Sequence, residues 1–236
     1  MPSYWMRNAS LVGPVATGST AGIRDLTYSQ LNPAAPPQVV FATASAQGFG
    51  SVQTNTMPFT VPAGSNRLLL AWINTTQYGQ ITSLTFQGTS LTRFNGLTST
   101  PFRECWYLIN PPVVTNGTLA FTFGVSNNYT EIALLVFTGV HQTTPLSGYQ
   151  TATGSGTGTA TVTIASAANQ LVTDSLVYWQ NTVAAGAGQT QQWTATSDGS
   201  WSAKGSTKAG TLSTPMTWTI TNGVEWGLQA VSVLPA

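Results

Sequence analysis

The sequence predicts an all-β fold, an antiparallel β-sandwich, and three observations support this prediction. From Val39 onward, short segments rich in β-branched and aromatic residues follow one another closely, separated by Gly, Pro, Asn or Ser. In the segment TLAFTFG, the apolar residues Leu119, Phe121 and Phe123 alternate with smaller or polar ones, which is the period of a half-buried strand. No segment keeps the 3.6-residue period of an amphipathic helix over three turns.

The composition is that of a neutral, folded chain. Its 236 residues suffice for one large β-domain or two small ones, and 42% of them are hydrophobic, which separates the chain from disordered sequences. Charged residues make up only 6% of the chain, against about 25% in ordinary soluble domains, and threonine alone outnumbers them. We therefore expect a surface that consists mainly of hydroxyl and amide groups.

This charge balance excludes several classes of partner. The seven basic residues are never clustered and the net charge is +1, so the chain lacks the row of cations that binds nucleic acid or an anionic membrane. No apolar run approaches the about 20 residues of a membrane-spanning helix, and no secretory signal is recognisable. The single cysteine, Cys105, excludes an internal disulfide.

Residues 1–38 differ from the rest of the chain and are predicted to form an extended docking arm. An aromatic tip stands at the start, and the Pro-rich segment NPAAPPQ at 32–38 favours extended, semi-rigid backbone. Aromatic anchors dominate interface energies, so we expect the tip to dock onto another molecule. Alternatively, the arm pairs as an added strand with a neighbour's sheet edge, or folds back on its own sandwich. The predicted interface residues are Tyr4, Trp5, Met6, Arg7 and Arg24.

Residues 39–236 are predicted to form one sandwich of two related halves, 39–145 and 146–236. NRLLLAWI echoes NQLVTDSLVYW, and TLAFTFGVSNNYTEIALLVF echoes PMTWTITNGVEWGLQAVSV. Because about six strands per half do not cover their own apolar faces, we expect the halves to pack face to face over a core about 10 Å thick. The segment QTATGSGTGTA at 150–160 is either a flexible linker between the halves or the start of a strand.

No constellation of residues predicts catalysis. The only histidine, His141, precedes a turn-like Thr-Thr-Pro, and Cys105 lies in an apolar strand where an inert thiol is expected. Glu131 and Glu225 occupy matching places before the last strand of each half, where they either form a carboxylate pair suited to glycoside chemistry or cap the strands at the sheet rim. Asp174 stands mid-strand and is expected to be hydrogen-bonded to a neighbouring loop. We expect no enzyme activity, no cofactor and no metal site.

The eight tryptophans suggest a carbohydrate-binding alternative, because flat aromatic faces stack on sugar rings. Trp193 and Trp201 lie in polar, Gly-rich surroundings and are the candidate glycan-binding residues, with packing in the core or at a sheet edge as the other interpretation. Alternation with polar residues or strongly apolar surroundings assigns five others to the core, namely Trp72, Trp106, Trp179, Trp218 and Trp226.

Several motifs, read in order, resemble a known family. VPAGSNRLLLAWI, ITSLTFQGTSLTRF, CWYLINPP, EIALLVFTGV, GQTQQW, GSTKAG and EWGLQAVSVLPA look like a β-sandwich domain of bacteriophage virion structural proteins that also occurs in bacterial surface proteins. The likeness covers about residues 57–236 and does not extend to residues 1–38. It implies a jelly-roll-like sandwich with a structural or attachment role on a particle surface, and it implies no catalytic residues.

Two functions are therefore expected to compete. The first is a non-enzymatic virion protein, a capsid decoration (cement) or head-fibre subunit, made in the host cytoplasm and located on the particle surface. Its partners would be the major capsid protein or other virion proteins and further copies of itself, with a trimer suited to symmetric shell sites. The second is a glycan-binding adhesion module of a phage tail fibre or a bacterial surface protein.

Overall fold

A computed structural model describes residues 37–75, 80–97, 101–127, 129–179, 182–197, 200–222 and 225–236. This part of the chain forms antiparallel β-strands and no helix, so nothing helical in it is long and apolar enough to cross a membrane. The predicted all-β class is confirmed. The predicted interface residues Tyr4, Trp5, Met6, Arg7 and Arg24 lie outside the described residues.

The first half folds into two sheets that face each other. Sheet I has the strand order β1-β9-β3-β7-β6, and sheet II has the order β2-β8-β4-β5. The strands are β1 (Val40–Phe49), β2 (Val52–Val61), β3 (Leu68–Thr75), β4 (Ile81–Phe86), β5 (Thr89–Ser90), β6 (Thr92–Leu97), β7 (Phe102–Ile109), β8 (Val114–Asn127) and β9 (Thr130–Thr138).

The second half repeats this arrangement. Sheet III has the strand order β10-β17-β12-β15-β14, and sheet IV has the order β11-β16-β13. The strands are β10 (Leu146–Ser155), β11 (Gly158–Ala165), β12 (Leu171–Trp179), β13 (Val183–Ala185), β14 (Thr190–Thr196), β15 (Trp201–Ala209), β16 (Ser213–Ile220) and β17 (Glu225–Val233).

The strand orders confirm the predicted relation between the halves. Each strand of sheet III has its counterpart at the same place in sheet I, and sheet IV matches sheet II except that it lacks a counterpart of β5. Asn66 and Asn169, which precede the central strands β3 and β12, both adopt positive φ angles, 51° and 71°. Leu68 and Leu171 each stand two residues after this asparagine, so they occupy equivalent positions. The pairing agrees, because Leu68 pairs with Phe137 and Leu171 pairs with Val233 near the end of the equivalent strands β9 and β17.

Each half also has its own apolar core, which the sequence did not predict. In the first half, Phe121 and its neighbours fill the space between sheets I and II, and in the second half Trp218 lies at the centre of a similar core between sheets III and IV. Strands cross from one sheet to the other within each half, as from β1 to β2, and so form a jelly-roll-like sandwich. The structure therefore contains two sandwiches, because a half of eight or nine strands does cover its own apolar faces.

A third layer, which we call the seam, joins the halves where sheet I packs against sheet III. Apolar side chains such as Leu70, Leu135 and Val231 fill it. β1 lies against β14, and Gly48 of β1 is required there because a Cβ would overlap the carbonyl of Thr196. On the opposite side of the seam, Arg103 of β7 bonds to Thr151 of β10. The β1 edge of sheet I therefore lies over the β14 edge of sheet III, and the side of sheet I that contains β7 lies over the β10 edge. This exchange of edges is the arrangement found in a two-fold symmetric dimer.

The connection between the halves is the segment 139–145, and residues 150–160 have another role. They form the end of β10, a turn with Gly156 at φ 88°, and the start of β11. The strand interpretation of QTATGSGTGTA is thus confirmed, but the segment is a hairpin inside the second half. The alternation of apolar and polar residues is weak in this segment, because one face of the hairpin is exposed and the other is lined by small side chains.

Candidate functional site

Gln38 and Val39, which we call the arm root because they join the predicted arm to β1, are bonded to the second half, although β1 belongs to the first. The backbone N–H of Val39 donates to the carbonyl of Asn169 at 3.1 Å, and the Val39 side chain is buried. The Gln38 side-chain amide donates to Asn169 Oδ1 at 3.4 Å. Gly139 lies against the Gln38 carbonyl so closely that a Cβ would overlap it. Both halves therefore hold Gln38 and Val39 at the seam.

This end of the body, where β1, β3 and β12 begin, we call the arm end, and it exposes apolar side chains. Val40 is 56% exposed, Val113 is 54% exposed and Leu212 is 89% exposed. Val113 precedes β8 and Leu212 precedes β16, so they occupy the same loop in the two related halves. At the opposite end, which we call the far end, Val125 near the end of β8 is 51% exposed and Trp179 at the end of β12 is 37% exposed.

An open groove of about 200 Å³ lies beside the arm root, between the start of β12 and the end of β15. Gln38 and Val39 form one wall, and the residues around Gln170 and Gly210 form the other. Two cationic side chains of the described residues lie at the arm end: Lys208 donates to the carbonyl of Pro215 at 3.0 Å, and Arg67 bonds to Asn110 and to two backbone carbonyls. Both side chains keep their positive charge, because these acceptors are neutral, and the bonds hold them against the body.

Asp174 is a completely buried acid, and its carboxyl group is part of the fold. Its Oδ1 accepts from the N–H and the hydroxyl of Ser206 at 2.7 and 2.8 Å, and its Oδ2 accepts from Trp218 Nε1 at 2.8 Å and Gln189 Nε2 at 3.3 Å. Burial raises the pKa of this carboxyl to about 7. The hydrogen bonds from Trp218 and Ser206 lower the pKa, because they favour the charged form, but their effect is smaller than that of burial. The expected bond to a neighbouring loop is present, and all four donors come from the second half.

A second polar group lies in the seam. Asn74 of β3 bonds to Ser175 of β12 at 3.1 Å and accepts from Gln229 of β17 at 3.4 Å, and Gln229 in turn accepts from the Tyr149 hydroxyl at 2.9 Å. Arg103 is completely buried beside them, and burial lowers its pKa to about 10. Buried polar groups of this kind are directional, so they set the register in which the two halves pack.

The remaining catalytic candidates lie in different surroundings. His141 Nδ1 accepts from the backbone N–H of Thr144 at 3.1 Å, so it stabilises the turn that follows it. Cys105 is buried in the seam, and burial raises the pKa of its thiol. Glu131 is completely buried on sheet I, whereas Glu225 is half-buried on sheet III. Within the described residues, no three His, Cys, Asp or Glu side chains gather closely enough to hold a metal ion.

The structure places both candidate glycan-binding residues, Trp193 and Trp201, at the seam. They are only 5% and 7% exposed, so neither ring presents an open face. Gly205 provides the space for the Trp193 indole, since a Cβ there would overlap the ring. The prediction that Trp179 belongs to the core is wrong, because its side chain is 37% exposed. Trp179 ends β12, and its position as the last residue of an apolar run was the signal that could have identified it.

Comparisons with known proteins identify no relative. No family model matches the chain, and neither a curated protein nor a solved structure matches it.

Proposed function

We propose that this chain is a non-enzymatic structural subunit of a bacteriophage particle, a capsid decoration or head-fibre protein held by its N-terminal arm. The observation that carries the proposal is the combination of two features at the arm end. The arm root is bonded to both halves at one end, and the same end exposes Leu212 and Val113 in equivalent loops. Three of the five exposed large apolar side chains of the described residues lie at this end, and such a group beside a fixed segment is typical of an interaction surface.

The internal construction of the body also supports a structural role. The polar side chains around Asp174 and around Asn74 form hydrogen bonds that join strands or halves. Three apolar layers stack through the molecule. A body of this kind resists deformation and suits a protein that reinforces or extends a shell.

The proposed partner is the major capsid protein or another protein of the particle surface, and further copies of this chain. Because the exposed large side chains at the arm end are apolar, its contact is expected to be mainly apolar. Symmetric positions on a shell suit a trimer. In the second function, a glycan-binding adhesion module, Trp193 and Trp201 do not serve as the sugar platform, since both are buried.

The test is the number of copies per particle, measured by quantitative mass spectrometry against the major shell protein. Hundreds of copies are expected for a decoration protein, and a few dozen or fewer would place the chain on a tail or fibre instead. The absence of the chain from purified particles would contradict the proposal.

The same measurement distinguishes the arm end from the far end. Leu212→Ser and Val113→Ser together are expected to reduce the copy number several-fold, because burying each side chain contributes about 1.5–3 kcal/mol to docking. The matched control is Val125→Ser, which changes an equally exposed valine at the far end and is expected to leave the copy number unchanged. An equal effect of both changes would contradict the assignment of the arm end.

A further inference from the structure

The far end of sheet III presents an aromatic ring in a fixed position. Trp179 stacks on Trp201 with the ring centroids 6.0 Å apart and the ring planes at 14°. Trp201 is itself buried in the seam, so its stacking restricts the orientation of the exposed Trp179 ring. A ring that is already immobilised loses little conformational entropy when a ligand stacks on it.

Polar side chains continue the same row of the sheet. Tyr178 pairs with Trp226, so the next pair along these antiparallel strands is Trp179 with Glu225. Glu225 pairs in turn with Ser155 of β10. Directly paired residues share a face of the sheet and stand about 5 Å apart, so the carboxylate lies one strand from the ring and the hydroxyl two strands from it.

Sheet I closes the inner side of this row. Gly227, two residues after Glu225 on the same face, lies directly beneath the Arg103 guanidinium, and a Cβ at Gly227 would overlap Arg103 Nη1. Pro101 lies against the same glycine. Arg103 Nη2 donates to Thr151 Oγ1 at 2.9 Å, whereas Nε and Nη1 have no acceptor among the described residues. The row is thus an open shelf with a polar inner wall.

We propose that this shelf, formed by Trp179, Glu225 and Ser155, binds one ring of a neutral sugar. A pyranose has an apolar C–H face that packs on an indole and a rim of hydroxyls that donate to a carboxylate. Glu225 accepts two such hydroxyls at one strand's distance from the ring. An acidic sugar is disfavoured because its carboxylate would approach that of Glu225. The site goes beyond the attachment function, and it lies at the far end of the body, opposite the arm end.

The experiment is saturation-transfer NMR on the free full-length chain with lactose, cellotetraose and maltotetraose, each at about 10 mM. We expect transfer to the ring C–H protons of at least one of these sugars, with a dissociation constant of about 1 mM. Trp179→Ala is expected to weaken that binding about tenfold or more, and Glu225→Gln about threefold. Val125→Ala, which removes exposed apolar surface at the same end of the first half, is expected to leave it unchanged.

Two results would overturn the proposal. One is the absence of transfer to all three sugars, and the other is transfer that persists at full strength in Trp179→Ala. Circular dichroism in the near ultraviolet checks that each variant is folded, and Glu225→Gln provides the test if Trp179→Ala is not. Because the free chain is used, failure of sugar binding leaves the copy-number test of the attachment function unaffected.

Discussion

The two halves share one strand order, yet their cores are built differently at equivalent positions. In the first half, Ala71 of β3 packs in the same core as Phe121, the middle of the three β8 side chains in that core. In the second half, the equivalent of Ala71 is Asp174, and the equivalent of Phe121 is Trp218, whose indole N–H donates to that carboxylate. One sandwich therefore has a hydrocarbon pair where the other has a hydrogen-bonded pair.

The difference is linked to the shorter sheet IV. In sheet II, β4 continues to Thr85, which pairs with Ala120 of β8. In sheet IV, β13 stops at Ala185, and the side chain of Gln189 accepts from the N–H of Thr217 at 2.6 Å in place of a strand. The Gln189 amide N–H donates to Ser206 Oγ at 2.8 Å and to Asp174. The buried acid thus anchors the side chain that covers the open edge of β16, and an exposed edge is a liability in β-proteins.

Removal of the Asp174 carboxylate is expected to have the largest effect. Asp174→Ala leaves the Ser206 N–H and the Trp218 indole N–H buried without an acceptor, so the free energy of unfolding should fall by about 3–5 kcal/mol. Urea unfolding monitored by tryptophan fluorescence measures the change. A loss below about 1 kcal/mol would mean that the donors find other acceptors, and the comparison of the two cores would then fail.

The double variant sharpens this comparison. Asp174→Ala combined with Trp218→Phe recreates the Ala71 and Phe121 pair of the first half and removes the stranded indole donor. We expect it to be more stable than Asp174→Ala alone by about 1–2 kcal/mol, although Trp218→Phe by itself destabilises the protein. A double variant less stable than either single variant would show that the difference in size, rather than the hydrogen bond, governs the site.

The stability of the second half should depend on pH in the acidic to neutral range. Burial raises the pKa of Asp174 to about 7 in the folded chain, whereas an unfolded aspartate titrates near about 4. The folded state then binds more protons than the unfolded state, so its stability is greatest below about pH 4 and falls as the pH rises to about 7. Glu104, whose pKa burial also raises, contributes in the same direction from the first half.

Unfolding in urea across this pH range at constant ionic strength tests the effect. Asp174→Asn is expected to flatten most of the slope, while Glu104→Gln is expected to remove a smaller part of it, since Glu104 is 5% exposed and is also bonded to Trp106. A slope unchanged in Asp174→Asn would mean that the carboxyl stays ionised throughout and that its donors outweigh its burial.

Much of this architecture could be predicted from local sequence. Alternation revealed β8 and β16, because one face of each is buried in a core, and the echo between the halves revealed the duplication. β13 was missed and β10 was predicted only in part, as one of two interpretations of residues 150–160, and both outcomes have a physical reason. β10 carries Gly and Thr on a partly exposed face, and β13 has only the residues Val183–Ala185, too few for a period to show.

The candidate site was harder to predict, because burial at the seam is set by partners distant in sequence. Trp193 and Trp201 have polar neighbours along the chain, but they are covered by sheet I, which no local pattern reveals. Trp179 shows the converse, since its neighbours are apolar and yet it lies at the end of its strand, beyond the cover of the seam. Asp174 could be predicted to be bonded, but Gln189 and Ser206 could not be named as its partners.

Two glutamines with the same task provide the finest comparison. Gln189 covers the Thr217 N–H inside the second half, and Gln87 covers the Thr118 N–H at 2.9 Å on the exposed edge of the first. Gln189→Met should cost about 1–2 kcal/mol and accelerate hydrogen exchange at the Thr217 amide, because the lost bonds are partly buried and also hold Asp174. Gln87→Met should change stability by less than about 0.5 kcal/mol, because water replaces the side chain there. Equal losses of stability in the two variants would show that Gln189 contributes by covering the strand edge, and that its bond to the buried Asp174 adds nothing.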